Sequence, residues 1–326
     1  MITQIKWGII GCGDVTEVKS GPAFNKVPGS SLVAVMRRNA EKAADYAKRH
    51  GVPKWYSDAT LLINDPEVNA VYVATPPQSH ELYTIQALQA GKPVYVEKPM
   101  AMDAAAAKRM QLVAEQSGVK LSVAHYRKAQ PRFEKVKALL DEGAIGQPRV
   151  VNLNLFQPPQ SSLIMKTDEY WRIDPAISGG GLFNDLSPHQ LDIVQYFFGD
   201  IERASGFARN QAGLYAAADL VMGNIVFKSG VVFNGTWCFS AGDKEEKDLV
   251  EIIGSEGTIR YSTFSTNHIT ISRNGVEEKI VFDDIAHVQQ PMIEKVVKYF
   301  AGLGANPSSA ESAVVTMEII DAFTII

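Results

Sequence analysis

Residues 5–16 decide the fold of the first half of the chain, and they read IKWGIIGCGDVT. A short apolar strand runs into a Gly-x-Gly turn at Gly11 and Gly13, and Asp14 and Val15 begin a helix. This order is typical of a dinucleotide-binding turn, where glycines let the backbone approach a pyrophosphate at a helix N-terminus. A Gly-x-Gly pair alone also occurs at ordinary strand–helix turns, so the rest of the chain has to decide between the two.

The composition is that of a globular protein with about two domains. The chain has 326 residues, of which 46% are hydrophobic and 21% charged, and its net charge of −4 gives no indication of nucleic acid or membrane binding. We find no apolar run of about 18 residues and no basic segment followed by an apolar one, so we expect neither a membrane span nor a signal peptide. Two cysteines, Cys12 and Cys238, allow no disulfide framework, and we expect a cytoplasmic protein.

Apolar strands alternate with helical stretches up to residue 123, which predicts a parallel sheet built from βαβ units. The predicted strands are 5–10, 31–36, 70–74, 93–96 and 119–123, and the predicted helices are 14–26, 40–50, 78–90 and 103–117. We therefore expect a dinucleotide-binding domain over residues 1–123.

The second half loses this alternation and predicts an antiparallel sheet. We expect strands at 147–156, 201–208, 217–227, 230–239, 247–253, 257–261, 268–273 and 277–282, and helices at 131–142, 289–302 and 308–325. Residues 124–326 would then form a substrate-binding and oligomerisation domain, with a loop at 157–170 beside the substrate pocket. A sheet face free of helices favours a homodimer or homotetramer.

The residues after the second strand favour NADP as the cofactor. An NAD site places an acid about 20 residues beyond the glycines to bind the ribose 2′-hydroxyl. That place holds Met36 or Arg37, and the next acid is Glu41. An arginine can bind a 2′-phosphate through forked, charge-assisted hydrogen bonds, although Arg37 and Arg38 can also be read as two solvated charges. We predict NADP, with NAD as the other possibility.

Polar residues also follow two later strands of the first half. Ligands bind at the carboxyl ends of strands in open α/β sheets. We therefore expect the cofactor site to include Thr75, Pro76, His80, Glu97 and Lys98. His80 can equally serve a structural hydrogen-bonding role, and lysines such as Lys98 are most often ordinary surface residues.

A second group of polar residues lies at 178–192, which reads SGGGLFNDLSPHQLD. Three glycines precede a helix on which Asp185, His189 and Asp192 share one face, since they are four and three residues apart. Helix capping with one satisfied histidine is the alternative interpretation. One histidine and two acids make a poor zinc site, so we expect no metal.

The chain resembles the Gfo/Idh/MocA family of oxidoreductases, which includes glucose-fructose oxidoreductase and inositol dehydrogenase. The resemblance rests on GCG at 11–13, ATPPQSH at 74–80, AGKPVYVEKP at 90–99 and the glycine-rich stretch before His189. It covers nearly the whole chain and implies an α/β protein: an N-terminal Rossmann domain followed by an α/β domain with a large, mostly antiparallel sheet. It also implies that the catalytic group is Lys98, Asp185 and His189, with Arg38 on the adenine and Asp192 in a structural role.

These residues predict an NADP-dependent oxidoreductase that acts on a secondary hydroxyl, or its ketone, in a sugar, polyol or related cyclic compound. His189 is the predicted general acid/base, because an ordinary histidine titrates near working pH. Lys98 would polarise the reacting oxygen, and Asp185 would orient the substrate or influence the charges of Lys98 and His189. Candidate substrate contacts are Tyr126, Arg127 and Arg172. A redox-neutral glycosidase that retains a nicotinamide cofactor and a non-catalytic NADP-binding regulator are the alternatives.

Overall fold

The computed structural model describes residues 4–159, 161, 163 and 171–324, so most of the expected loop at 157–170 lies outside the described residues. The chain forms two compact units. Each unit consists of two segments of the chain. The first unit comprises the residues up to Arg127 together with Ile285–Met317, and the second comprises Lys128–Asp284 together with the residues from Glu318 on. Over the described part of the chain, none of the helices has both the length and the apolar character needed to cross a membrane.

Six strands of the described residues form one parallel sheet in the first unit. They are β1 (Ile5–Ile10), β2 (Ser30–Met36), β3 (Lys54–Tyr56), β4 (Ala70–Val73), β5 (Val94–Val96) and β6 (Leu121–Val123). Their order is β3-β2-β1-β4-β5-β6, the order of a doubly wound dinucleotide-binding sheet. The expected Rossmann sheet is confirmed. The sequence did not predict β3, because a three-residue, half-exposed edge strand is too short to show a hydrophobic period.

Five α-helices of the first unit lie between successive strands of this sheet along the chain. They are α1 (Asp14–Val18), α2 (Ala40–His50), α3 (Ala59–Ile63), α4 (His80–Gln89) and α5 (Ala104–Ser117). The single helix predicted at 14–26 is wrong: α1 ends at Val18, and a separate 3-10 turn covers Gly21–Asn25. A Cβ on Gly21 would lie 2.2 Å from the carbonyl oxygen of Thr16, so the chain turns there in a contact that only glycine permits.

A cluster of aromatic rings in the first unit explains why a segment near the end of the chain belongs to this unit. The ring of Trp7 lies 4.8 Å from that of Phe24 and 5.5 Å from that of Phe300, measured between centroids. Phe300 is on α9 (Gln290–Ala301), whose buried face also includes Met292 and Ile293. The division therefore differs from the expected single boundary at residue 123, because the apolar face of α9 is buried against β1 and its neighbours.

Eight strands of the described residues form the sheet of the second unit. They are β7 (Pro148–Phe156), β8 (Ile201–Arg209), β9 (Leu220–Phe227), β10 (Val232–Cys238), β11 (Lys247–Gly254), β12 (Gly257–Tyr261), β13 (His268–Arg273) and β14 (Val276–Val281). The order is β14-β13-β12-β11-β7-β10-β9-β8, and within these strands only β7 and β10 pair in parallel. The mostly antiparallel sheet expected from the sequence is confirmed.

One face of the second sheet is packed with apolar side chains. The helices of this unit are α6 (Pro131–Asp141), α7 (Pro175–Ser178) and α8 (Leu182–Phe198), and α10 (Ala310–Thr324) ends in it. The ring of Phe323 on α10 lies so close to β9 that a Cβ on Gly223 would be 2.4 Å away. Glycine at this position lets the aromatic ring lie directly on the strand.

Candidate functional site

The turn between β1 and α1 is shaped by its two glycines. Gly11 has φ +94°, and a Cβ on it would lie 2.7 Å from the backbone nitrogen of Thr75. Gly13 is extended, and a Cβ there would approach Gly11 O no closer than 3.9 Å among the described atoms. Gly11 therefore permits the close approach of two strand ends, whereas Gly13 leaves open space at the start of α1. Open backbone at this place is what a pyrophosphate needs.

Arg37 lies against this turn. Its Nη1 donates to the carbonyl oxygen of Cys12 at 3.4 Å, and its backbone nitrogen donates to Tyr56 O at 3.2 Å. Arg37 is half-buried, while Arg38 is exposed. The structure therefore places one guanidinium beside the glycine-rich turn and leaves its neighbour in solvent.

His80 connects the loops that follow β4 and β5. It is fully buried, and its ring nitrogens lie 2.9 Å from Pro99 O and 2.7 Å from Thr75 O. Burial lowers the pKa of His80, although the two carbonyls partly oppose this. Carbonyl oxygens only accept, so a neutral ring donates to one of them at a time. His80 thus supports both loops, and direct contact with a cofactor stays a prediction.

The hydroxyl of Thr75 lies in the same loop. Thr75 Oγ1 is buried and has no hydrogen-bond partner among the described residues. A buried hydroxyl without a partner costs free energy unless a ligand or a water supplies one. Thr75 and the adjoining Pro76 therefore remain good candidates for cofactor contacts.

Glu97 fixes the backbone of Lys98. Its side chain is buried, and Oε1 accepts from the hydroxyl of Tyr72 and, at 2.6 Å, from Nε2 of Gln289. Oε2 accepts from the backbone nitrogen of Lys98 at 3.1 Å. Burial, followed by the charge of Glu97, holds the pKa of Tyr72 well above its usual value, so this hydroxyl stays protonated and donates. Sequence reasoning missed Gln289, which lies 192 positions from Glu97.

Two predicted substrate residues, Tyr126 and Arg127, are the last residues of the first segment of the first unit. Tyr126 is buried, and the guanidinium of Arg127 lies 5.6 Å from the centroid of its ring. This cation–π contact restricts the Arg127 side chain.

Helix α8 carries the predicted acid and histidine of the second unit. The chain enters it through Gly179 and Gly181, whose φ values are +86° and +79°. A Cβ on Gly181 would lie 2.4 Å from the Cβ of Ala217, so this entry requires glycine.

The two carboxylates on the α8 face are each paired with a cation. Asp185 Oδ2 lies 3.2 Å from Nε of Arg172, and Asp192 Oδ1 lies 2.8 Å from Nζ of Lys128. The side chains of Lys128 and Asp192 are only 10% and 3% exposed, so breaking this pair would leave a buried charge. Arg172 pairs with Asp185, and its predicted contact with the substrate stays a prediction. The sequence did not predict the pairing of Lys128 with Asp192.

His189 lies between these carboxylates on the same helix and is 4% exposed. Its ring meets the ring of Phe264 nearly edge to face, with centroids 5.9 Å apart and an interplanar angle of 71°. The sequence indicated the histidine but not the aromatic residue, because Phe264 lies on a distant loop.

Further polar atoms on α8 are buried without a hydrogen-bond partner in the part of the chain that the structure describes. They are Asn184 Oδ1, Ser187 Oγ and Gln190 Nε2. The other amide atom of Gln190 accepts from Nε1 of Trp237 at 2.7 Å. Sequence reasoning missed these residues, although polar side chains all round a buried helix are a signal that could have indicated them.

Comparison with known proteins assigns the chain to a family. Residues 5–125 match the oxidoreductase family with an NAD-binding Rossmann fold, and residues 133–260 match the GFO/IDH/MocA C-terminal domain. The chain belongs to the GFO/IDH/MocA family of oxidoreductases. The resemblance inferred from the sequence is thus confirmed.

Individual family members cover most of this chain. An oxidoreductase of Formosa agariphila is 46% identical over 99% of both chains. The 1,5-anhydro-D-fructose reductase of Ensifer adhaerens is 29% identical over 78% of this chain and 74% of its own. The crystal structure of an oxidoreductase from Thermotoga maritima is 26% identical, has a TM-score of 0.86, and covers 98% of this chain and 95% of its own.

Proposed function

We propose that the protein is a nicotinamide-dependent dehydrogenase or reductase that acts on a secondary hydroxyl, or its ketone, in a sugar, polyol or related cyclic compound. The main support is that this member of an oxidoreductase family has Lys98, Asp185 and His189 together with a glycine-rich dinucleotide turn. The similarity to a 1,5-anhydro-D-fructose reductase supports a carbohydrate-like substrate.

The residues of the first unit fit a nicotinamide dinucleotide. Gly13 offers open backbone at the start of α1, and Thr75 Oγ1 is a buried polar atom that lacks a partner among the described residues. Asp14 and Val15, in the first turn of α1, and Pro76 would line the same site. When bound, the cofactor donates or accepts the hydride.

The catalytic residues handle the proton and the charge on the substrate oxygen. His189 takes the hydroxyl proton during oxidation and returns it during reduction. Lys98 donates a hydrogen bond from Nζ to the reacting oxygen and so stabilises its developing negative charge. Asp185, held by Arg172, orients the substrate. Tyr126, Arg127 and Arg172 are the proposed substrate contacts.

NADP is the preferred cofactor in this proposal. Arg37→Ala is expected to weaken NADP binding by about 1–3 kcal/mol, the contribution of a hydrogen bond to a charged group, because the 2′-phosphate loses its cation. NAD lacks that phosphate, so its affinity should change little. Fluorescence titration of the variant with both nucleotides measures the difference.

Arg38→Ala is the matched control, because Arg38 is the adjacent arginine and is exposed. With Arg38 on the adenine, its removal should affect NAD and NADP alike. Equal weakening of both nucleotides by Arg37→Ala would contradict the NADP assignment.

Two measurements on the purified protein test the function. Native mass spectrometry reports any retained nucleotide, and the absorbance of reduced nicotinamide reports turnover with a panel of sugars and polyols. We expect net nucleotide oxidation or reduction with at least one of these compounds. Hydrolysis of a glycoside with no net change in the nucleotide would instead indicate a redox-neutral glycosidase. Nucleotide binding without any turnover would indicate a regulator.

We also propose that the second sheet forms a homodimer or homotetramer contact. Its free face exposes Phe207 and Met222 by 44% and 39%. A row of amides crosses the same face: Asn224 donates to Asn234 at 2.5 Å, and Asn234 to Asn152 at 3.2 Å. Since Cys12 and Cys238 are both free, a cytoplasmic location is part of the proposal.

Met222→Glu is expected to dissociate the assembly, because it places a charge in an apolar contact without a partner. Native mass spectrometry should show the parent as a dimer or tetramer and the variant as a smaller species. Leu303→Glu, at a residue 73% exposed in the first unit, should leave the assembly unchanged. An intact assembly in Met222→Glu would exclude this sheet face as the contact.

A further inference from the structure

The loop between β12 and β13, residues 262–267, is held by one carboxylate on a neighbouring strand. Asp248 of β11 accepts from the backbone nitrogens of Thr263, Phe264 and Ser265 at 3.0, 2.6 and 3.0 Å. It also accepts from the hydroxyl of Ser265 at 3.1 Å. Hydrogen bonds to an ionised group are stronger than those between neutral groups, so Asp248 fixes three successive residues of the loop.

The carbonyl groups of the same loop are held by a cation from a different element. Arg132 on α6 donates from Nη2 to Thr263 O at 2.6 Å and from Nη1 to Thr266 O. Its guanidinium is largely buried and lies 4.6 Å from the centroid of the Phe133 ring. Within the loop, Ser262 Oγ accepts from the backbone nitrogen of Thr266 at 2.7 Å.

Connecting loops are usually the most mobile parts of a fold. This loop is instead held between an anion on β11 and a cation on α6. The carboxylate fixes the backbone donors of the loop and the guanidinium fixes its backbone acceptors.

The residue that the loop presents is Phe264, whose half-buried ring packs on His189. The charged groups on the same face of α8 are the pairs Asp185–Arg172 and Asp192–Lys128. Phe264 therefore supplies an apolar contact to an imidazole that otherwise has ion pairs beside it on its own helix. An edge-to-face contact restricts the rotation of the imidazole, because the ring pair is attractive only in certain orientations.

We propose that Asp248 and Arg132 are positioning residues for His189: they fix loop 262–267 so that Phe264 holds the imidazole in its reactive orientation. The inference rests on the proposed role of His189 as general acid/base. A proton-transfer group has to be within hydrogen-bond reach of the reacting oxygen, and a displacement of about 1 Å can lower the rate by about 10²-fold.

The first variants test Phe264 itself. Phe264→Ala is expected to lower kcat by about 10–100-fold, with unchanged nucleotide affinity. Phe264→Tyr keeps an aromatic ring against His189 and should recover most of the loss. A purely structural role for the ring would lower the melting temperature and leave kcat of the folded protein unchanged, and that result would overturn the proposal.

A double-mutant cycle tests whether the loop carries the effect. Asp248→Asn should lower kcat to a similar extent as Phe264→Ala, and the double variant should be no slower than either single variant, because both act through one contact. Glu251→Gln is the matched control: Glu251 lies on the same strand and pairs with Arg260 at 2.7 Å, away from the loop. If the fold-losses in kcat of the two single variants multiply in the double variant, Asp248 does not act through Phe264.

A measurement that does not depend on catalytic turnover tests this inference independently of the proposed function. The imidazole resonances of His189, assigned by their loss in His189→Ala, should shift in Phe264→Ala, because the ring current of Phe264 is removed. Asp248→Asn should shift the same resonances, and unshifted resonances in Asp248→Asn would overturn the positioning role. Unchanged turnover in His189→Ala would instead overturn the proposed function of His189 while leaving the loop contact measurable.

Discussion

His189→Ala is expected to lower turnover by about 10²–10⁴-fold, the usual contribution of a general acid/base. The side chain is 4% exposed, and the two carboxylates nearest to it on the same helix, Asp185 and Asp192, are held in ion pairs, so neither replaces it easily as a proton acceptor. Nucleotide affinity should remain, because the dinucleotide turn belongs to the first unit. Steady-state kinetics at saturating nucleotide, together with a nucleotide titration, measure both quantities.

His50→Ala is the control for this variant. His50 is a partly exposed histidine of the first unit that lies 2.8 Å from Glu17, and it has no part in the proposed chemistry. Its removal should leave turnover at the parent value. If His189→Ala also turns over at the parent rate, His189 has no role in proton transfer.

Gly11→Ala is expected to lower the free energy of unfolding by about 2–6 kcal/mol, the sum of a strained backbone and an overpacked contact. The φ of +94° is one that residues with a Cβ rarely adopt. The added Cβ would also lie 2.7 Å from the backbone nitrogen of Thr75, which cannot move aside as a flexible side chain does. Denaturant unfolding followed by circular dichroism measures the loss.

Gly13→Ala is expected to affect nucleotide binding without affecting the stability of the fold. Gly13 is extended, and the nearest described atom would be 3.9 Å from the new Cβ, so stability should stay at the parent value. The methyl group would instead occupy space that we assign to the pyrophosphate. We expect nucleotide affinity to fall by about 5–150-fold, the equivalent of 1–3 kcal/mol of overpacking. Parent affinity in Gly13→Ala would show that the pyrophosphate lies elsewhere.

Much of the fold could be predicted because its signals are local. The predicted strands of the first half lie within two residues of the observed ends, since each is a short, mostly apolar run. The break after α1 could not be predicted, because it depends on the contact of Gly21 with the carbonyl of Thr16. The assignment of α9 to the first unit depends on Trp7, which is far away in the chain.

The sequence by itself determined the alternation of elements, the glycine-rich turns and the motif residues Gly11, Lys98 and His189, because each is defined by its near neighbours in the chain. Only the tertiary structure decided what holds those residues: Gln289 beside Glu97, and the loop of Phe264 beside His189. Hydrogen bonds and ring contacts between distant segments depend on how the elements pack. A single sequence records which side chains are available for such contacts, but the packing selects the partners.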